Sequence, residues 1–242
     1  MTGTPLKSNK VLNSLITFDT LDSTNQFLKS NNFAAGTVVR AAVQTAGRGK
    51  HGAKWSSGSG GLWFSFVINK KVKRPYDYVI LSSVAVCEAL RAIKVNAIVK
   101  WPNDILVEGR KICGMLIEND YFSGRLITGI GINVNNTVPK DAAAKAVSLR
   151  AIKGRKVDLE KFFPDILSRI DRYLSAIPAN KKQMIAKWVK LQGNIKGKEI
   201  KLQKKGKTEI LVVVNVLRSG AVKVNDSKGR TRVLKGEVFF VG

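Results

Sequence analysis

KWPNDILVEGRKICGMLIE, residues 100–118, carries the clearest fold signal of the chain. Ile105–Val107 and Lys111–Glu118 are runs of β-forming residues, and the Glu108-Gly109 pair between them is typical of a tight turn. The stretch therefore predicts a β-hairpin, entered through the polar Asn103-Asp104 pair.

Lys111 opens the second strand of this hairpin. Alternation with period two places it at the end of an apolar row that includes Cys113. A lysine there is poorly solvated unless an anion meets it, so phosphate or carboxylate is the expected partner. The alternative is a lysine whose side chain simply extends into solvent at the strand end.

The rest of the first 190 residues alternates strand and helix patterns. Strands are predicted at Thr37–Gln44, Leu62–Ile68 and Arg125–Val134. Helices are predicted from Ser23 or Thr24 to about Ser30, and over Asp77–Val95, Asp158–Ala176 and Asn180–Leu191. Because consecutive strands are joined by hairpins, we expect an α+β fold with a largely antiparallel sheet and helices on one face.

The composition shifts near Lys190. From there to Gly242 the chain has 13 Lys and Arg against 4 Asp and Glu. Five short strands are predicted in this part, at Glu199–Gln203, Glu209–Leu217, Ala221–Val224, Thr231–Leu234 and Val238–Val241. We therefore predict one domain over residues 1–189 and a small C-terminal β-barrel over residues 190–242.

The overall charge is unusual: the 242 residues carry a formal net charge of +25. Such an excess predicts an anionic partner, either a nucleic acid, a nucleotide or an acidic protein. No apolar window is long enough for a membrane span, and the first residues lack the apolar core of a signal peptide, so we expect a cytoplasmic protein without membrane association. The single histidine, His51, argues against a Ser-His-Asp triad.

A glycine-rich loop follows the Thr37–Gln44 strand. Its centre, GRGKHG at residues 47–52, sets Arg48 and Lys50 among glycines. Glycines let backbone N–H groups approach an anion closely, and the two cations can hold it from either side. The loop matches neither a Walker A motif nor a dinucleotide-binding fingerprint, and a solvated mobile loop is the alternative.

Three further motifs carry polar groups. Asp104 can hold Mg²⁺ through oxygen, although Asn103-Asp104 can equally form an Asx turn. Gly129 and Gly131 clear one face of a strand for a ligand, or else mark a bulge. DSTN at residues 22–25 can line a polar pocket or simply cap a helix.

The joint order of DSTN, GRGKHGAKW, KWPNDILVEGRKICGMLIE and GIGINVN resembles the biotin protein ligases. The resemblance covers nearly the whole chain and implies a seven-stranded mixed sheet with helices, followed by an SH3-like barrel. It also implies a two-step reaction: biotin and MgATP give biotinyl-5′-adenylate, and the biotinyl group then passes to one lysine of a carrier domain.

The resemblance assigns roles by matching position. Lys111, Arg48 and Asp104 would be catalytic, with Asp104 also holding Mg²⁺. Biotin would contact Ser23, Thr24, Asn25, Gln44, Gly47, Arg48, Gly49, Lys50, Lys111, Gly114, Leu116, Gly129 and Gly131. ATP would contact Arg48, Lys50, Trp55, Asn103, Lys111 and Asn133. The partner would be a biotin carboxyl carrier domain, expected to be acidic, and a second copy of the chain is a further candidate partner.

The chain departs from the family pattern at Lys50, where many members carry Arg. A lysine keeps the charge but loses bidentate phosphate contact. About 20 residues precede DSTN, too few for the winged-helix domain of repressor-type members, so a ligase without specific nucleic-acid binding is expected.

Two other interpretations of the function are considered. A lipoate–protein ligase would show an R-R-x-S-G-G-G type of segment in place of GRGKHG. A basic nucleic-acid-binding protein would explain the charge, but the C-terminal region offers few aromatic stacking platforms besides Phe239 and Phe240.

Overall fold

The computed structural model describes residues 3–68, 74–120, 124–204 and 207–235. Its centre is an eight-stranded sheet made of β1 (Thr4–Pro5), β2 (Ser14–Leu21), β3 (Thr37–Gln44), β4 (Leu62–Ile68), β5 (Ile98–Lys100), β6 (Asp104–Val107), β7 (Arg110–Asp120) and β8 (Arg125–Ile132).

The strand order in the large sheet is β1-β2-β3-β4-β8-β7-β6-β5. Strands β2 and β3 pair in parallel, and the other neighbours pair antiparallel. The predicted mixed, largely antiparallel sheet is therefore confirmed. It has eight strands rather than seven, because the two-residue β1 pairs along the outer edge of β2.

Helices cover both faces of this sheet. They are α1 (Thr24–Ser30), α2 (Tyr76–Ala92), α3 (Leu149–Lys153) and α4 (Leu159–Leu191). Helices α2 and α4 share the main apolar core with Val38 of β3. Leu28 of α1 packs in a separate cluster with Val39, the next residue of β3. Successive strand residues face opposite sides of a sheet, so α1 lies opposite α2. The expectation of helices on one face holds for α2 and α4 and is wrong for α1.

Helix α4 runs through the region where two separate helices were predicted. Asn180 inside it has non-helical backbone angles (φ −115°, ψ 17°), and Pro178 supplies no backbone N–H to the helix. Beyond this point the chain turns back, so that Lys187 Nζ lies 3.1 Å from the Tyr173 hydroxyl. Two helical segments therefore meet at a kink at Asn180, which confirms the prediction of two helices with a break near this residue.

The hairpin of residues 100–118 is confirmed, but its register differs from simple alternation. The turn is two residues long, with positive φ at Glu108 (52°) and Gly109 (76°), as a type I′ turn requires. A bulge follows, because Leu106 pairs with Lys111 while Ile105 pairs with Cys113. The extra residue moves the Lys111 side chain to the face opposite Cys113. The expectation that both share one face is wrong.

The C-terminal region forms a second antiparallel sheet from β9 (Glu199–Lys204), β10 (Lys207–Val216), β11 (Val222–Asn225) and β12 (Thr231–Leu234). Its four strands, in the order β12-β11-β10-β9, do not close on themselves among the described residues. The predicted fifth strand, Val238–Val241, lies outside the described residues. The barrel and the boundary at residue 189 stay predictions. In the described part of the chain, no helix combines the length and apolar character needed to cross a membrane.

Candidate functional site

A cavity of about 270 Å³ opens on the face of the large sheet that α1 covers. The start of α1, the end of β3, the glycine-rich loop and the strands β7 and β8 surround it. The predicted site residues that line it are Ser23, Thr24, Asn25, Gln44, Arg48, Gly49, Lys50, Trp55, Asn103, Asp104, Lys111, Gly114, Leu116, Gly129 and Gly131.

A wider cleft of about 950 Å³ adjoins this cavity across the glycine-rich loop. Gln44, Arg48, Trp55 and Lys111 line both spaces. The two remaining predicted site residues, Gly47 and Asn133, line the cleft. The structure thus brings every predicted site residue to one of two connected spaces.

Buried polar side chains form the floor of the cavity. Ser23 caps α1 and directs the next two residues inward, since its side chain accepts from the Gln26 N–H. Thr24 donates its backbone N–H to Gln44 Oε1 at 2.8 Å, and its hydroxyl lies 2.6 Å from the Ser65 hydroxyl. Such a fixed set of donors and acceptors suits a neutral polar ring, because each buried polar group needs a partner.

The three strand glycines make room for side chains of this chain. A Cβ atom at Gly131 would lie 2.5 Å from Trp55 Nε1, and one at Gly114 would lie 3.0 Å from the same indole ring. A Cβ atom at Gly129 would overlap the Asn25 amide. The glycines therefore let Asn25 and Trp55 lie against the sheet as walls of the cavity.

Positive charge is concentrated at one end of the cavity. Lys111 Nζ lies 2.7 Å from Asp104 Oδ1 and 4.9 Å from the centre of the Trp55 ring. The pKa of Lys50 is lowered to about 8, mainly by burial. The Asp104 carboxylate opposes this change, and the Lys111 charge contributes to it. The cavity lining includes four basic side chains, Arg48, Lys50, Lys54 and Lys111, against the carboxylate of Asp104, which is a net charge suited to anions.

The turn that carries Asn103 and Asp104 is held by buried hydrogen bonds. Asn103 Nδ2 donates to the Met115 carbonyl at 2.7 Å, and the Tyr76 hydroxyl donates to the Pro102 carbonyl at 2.8 Å. The Trp101 indole N–H donates to the Gly220 carbonyl of the C-terminal region at 3.3 Å. Both domains of the predicted organisation therefore fix the position of this turn.

The loop that crosses between the two spaces is tied down at Trp55. Its backbone N–H donates to the Gly47 carbonyl at 2.9 Å, and its carbonyl accepts from the Ser57 hydroxyl at 3.2 Å. On the cleft side, Asn133 Oδ1 accepts from Asn136 Nδ2 at 3.0 Å.

The polar residues at or near the cavity that were not identified from the sequence include Lys54, Ser57, Ser65 and Glu118. Ser57 accepts from Gln44 Nε2 at 2.8 Å, and Glu118 Oε2 accepts from Asn25 Nδ2 at 2.7 Å. Ser65 had a signal, since it is the one polar residue in the apolar run LWFSFVI. Glu118 had none, because a glutamate at a strand end looks like any exposed charge.

Asp104 is the candidate Mg²⁺ ligand. Within the described ranges, no three His, Cys, Asp or Glu side chains gather as a metal site. A single carboxylate nevertheless suits Mg²⁺ that arrives with ATP, because that ion takes one or two carboxylates and completes its shell with phosphate oxygens and water. Asp104 faces the cavity beside Lys111, so the residues present fit an ion carried by the nucleotide.

Sequence comparison identifies a family and relatives that are similar to this chain. The model of the Biotin/lipoate A/B protein ligase family matches residues 17–136. The bifunctional ligase/repressor BirA of Bacillus subtilis is 37% identical over 166 residues, which are 63% of this chain and 51% of that protein. The biotin–[acetyl-CoA-carboxylase] ligase of Paracoccus denitrificans is 30% identical over 161 residues, covering 61% of this chain and 67% of that protein.

Structural comparison covers more of the chain. The biotin protein ligase from Aquifex aeolicus, solved in complex with biotin and ATP, superposes with a TM-score of 0.81 at 32% identity. The match spans 92% of this chain and 96% of that one. By contrast, the chain spans about half the length of the Bacillus subtilis relative.

Proposed function

The chain belongs to the biotin protein ligase family, and from this we propose that it activates biotin with ATP and transfers the biotinyl group to a lysine of a carrier domain. The observation that carries the proposal is the pair of connected spaces. One has a fixed polar floor and the other is large enough for a nucleotide, and Arg48, Lys50 and Lys111 lie at or near their junction.

Biotin occupies the smaller cavity in this proposal. Its ureido ring is neutral and rich in donors and acceptors, so it meets Thr24, Asn25 and Gln44 on the floor. Its carboxylate points to Lys111 and Arg48. The remaining contacts would come from Ser23, Gly47, Gly49, Lys50, Gly114, Leu116, Gly129 and Gly131.

ATP occupies the wider cleft in this proposal, with Trp55 against the adenine side and Asn133 holding the nucleotide. Asn103, which lines the smaller cavity, would hold the nucleotide where it reaches the junction of the two spaces. Arg48, Lys50 and Lys111 would contact the α-phosphate region. Asp104 would hold Mg²⁺, which supplies positive charge to the phosphates when bound.

In the first step the biotin carboxylate oxygen attacks the α-phosphorus, and the bond to pyrophosphate breaks. No base is needed, because the carboxylate is already ionised at neutral pH. The reactants repel each other, so the main task of the protein is to place cations where negative charge accumulates. Lys111 and Arg48 perform this task in the proposal.

In the second step the neutral amine of the carrier lysine attacks the biotinyl carbonyl. A C–N bond forms, the C–O bond to AMP breaks, and the amine releases one proton. Asp104 is the carboxylate nearest to Lys111 in the cavity and is our candidate for accepting that proton, with solvent as the alternative. Bringing the two groups together supplies most of the remaining acceleration.

The partner we propose is an acidic biotin carboxyl carrier domain, since a net charge of +25 steers anionic surfaces toward the enzyme. We place the reaction in the cytoplasm, without specific nucleic-acid or membrane partners, and a homodimer is a further proposal. We also propose that residues 190–242 complete the SH3-like barrel of the family, supported by their four antiparallel strands.

One incubation tests the proposal directly. The protein is mixed with biotin, MgATP and a biotin carrier domain, and the mass of the carrier is measured. We expect one biotinyl group on one carrier lysine, and no product when ATP is omitted. A parallel reaction with lipoate is the control: modification by lipoate, and none by biotin, would overturn the proposal in favour of a lipoate ligase.

A further inference from the structure

The glycine-rich loop folds back on itself so that two basic side chains stand opposite each other. Two backbone hydrogen bonds, of 2.6 and 2.9 Å, join residues 47–49 to residues 53–55. Between these bonds Arg48 and Lys54 form an antiparallel β-bridge. They are therefore the non-hydrogen-bonded pair of the two arms, in which opposite side chains share one face and approach each other most closely.

This opposed pair of cations is unfavourable in an empty loop. Like charges directly opposite each other on paired strands repel and destabilise the pairing. Within the described ranges, neither Arg48 nor Lys54 forms an ion pair that would offset the repulsion. Both residues line the smaller cavity and the wider cleft. An anion that lies between them relieves the repulsion, so the pair favours a ligand with negative charge at this place.

The charges of the wider cleft indicate which part of ATP meets the opposed pair. The ionisable side chains that line the cleft are Arg48, Lys54, Lys111 and Asp141, three cations against one carboxylate and a net charge of +2. Lys111 already has a partner, since its Nζ lies 2.7 Å from Asp104 Oδ1. Lys111 serves the α-phosphate in the proposed reaction. The opposed pair is thus available for the terminal phosphates, which carry most of the negative charge of ATP.

We propose that Lys54 is a further catalytic residue of the first step, which binds the β- and γ-phosphates of ATP opposite Arg48. This rests on the proposed function, in which a biotin carboxylate oxygen forms a bond to the α-phosphorus while the bond from that phosphorus to the bridging oxygen breaks. The electron pair of the broken bond leaves with pyrophosphate, whose negative charge rises. A cation at the terminal phosphates stabilises this leaving group as it departs.

The two steps of the reaction separate this role from the roles of the other cations. Biotinyl-5′-adenylate has lost the β- and γ-phosphates, so Lys54 has no phosphate to bind in the transfer step. For Lys54→Ala we expect the KM for ATP, and the KM for pyrophosphate in the reverse reaction, to rise about tenfold, as loss of one partly exposed charge-assisted hydrogen bond predicts. Transfer from synthetic adenylate to a saturating carrier domain should stay within about twofold.

The experiment measures both steps on the full chain: biotin-dependent exchange of labelled pyrophosphate into ATP, and single-turnover transfer from synthetic adenylate. Lys54→Arg retains a cation that binds phosphate, so its KM values should stay within about threefold of those of the unaltered protein. Lys140→Ala is the matched control, because Lys140 is exposed and lies between Pro139 and Asp141, two residues that line the cleft. It should leave both steps unchanged. The transfer rate of each sample also reports its content of folded protein.

An unchanged KM for pyrophosphate in Lys54→Ala would overturn the inference and leave the proposed function intact. Equal losses in exchange and in transfer would overturn it too, because a residue that binds only the terminal phosphates cannot affect a step that lacks them. An unaltered protein that shows no biotin-dependent exchange would remove the proposed function itself.

Discussion

Replacement of Lys111 by alanine is the perturbation that most directly tests the proposed chemistry. The Lys111 ammonium lies in the cavity 2.7 Å from Asp104, and its side chain is 31% exposed. The variant lowers the net charge of the ionisable side chains that line the cavity from +3 to +2, counting Arg48, Lys50, Lys54, Lys111 and Asp104. It also leaves the Asp104 carboxylate without its ion-pair partner beside the place where phosphate charge accumulates.

The magnitude follows from the charge and its surroundings. A unit charge about 4 Å from the reacting phosphate contributes about 4 kcal/mol at an effective dielectric constant of about 20. Partial exposure reduces this to about 3 kcal/mol, or about two powers of ten in rate. Biotin binding should persist, because the polar floor at Thr24, Asn25 and Gln44 is unchanged.

The assay is biotin-dependent exchange of labelled pyrophosphate into ATP, with biotin binding followed by calorimetry. We expect an exchange rate about a hundredfold lower for Lys111→Ala, with biotin binding still measurable. Lys100→Ala is the matched control, since it removes an exposed lysine from β5, which β6 separates from β7 in the sheet, and it should leave the exchange rate unchanged. An exchange rate for Lys111→Ala close to that of the unaltered protein would refute the catalytic assignment.

Four further outcomes are expected. Because the pKa of Lys50 is lowered to about 8, its charge is present below that pH and lost above it. The kcat/KM for ATP should therefore fall above about pH 8 in the unaltered protein and stay level in Lys50→Arg. Identical pH profiles for the two proteins would contradict a role for this charge. Gly131→Ala should reduce adenylate formation at least about tenfold, since its Cβ would meet the Trp55 ring at 2.5 Å, while Gly58→Ala, whose Cβ meets nothing within 4 Å, should be neutral. Asp171→Ala should lower the free energy of unfolding by about 3 kcal/mol in a urea titration, because the Asp171 carboxylate accepts three backbone N–H groups of residues 10–12. Asp165→Ala, which removes the ion pair with Arg169, should lower the free energy of unfolding by less than about 1 kcal/mol. Carrier biotinylation should slow steeply between about 50 and 500 mM salt, and a flat profile would discard electrostatic steering.

Local sequence determined most of the elements. The strands Thr37–Gln44 and Leu62–Ile68 were predicted with the bounds that the structure has, because β-branched and apolar runs depend on their own composition and flanking turns. The cap at Ser23 and the two-residue turn at Glu108-Gly109 are equally local. The candidate site residues came from a resemblance of motifs, and the structure gathers them at two connected spaces.

Tertiary structure alone decided how these pieces face one another. The bulge that turns Lys111 away from Cys113 arises from pairing with β6, so no count along one strand could find it. Helix α1 lies on the sheet face opposite α2, because β3 is apolar on both of its faces. The sequence pattern of α1 itself does not show which face the helix covers. Glu118 and Ser65 support the cavity floor through their hydrogen bonds to Asn25, which depend on contacts between β7, α1 and β4. Propensity and turn chemistry act between near neighbours, whereas register and hydrogen-bond direction depend on residues that packing brings together from distant parts of the chain.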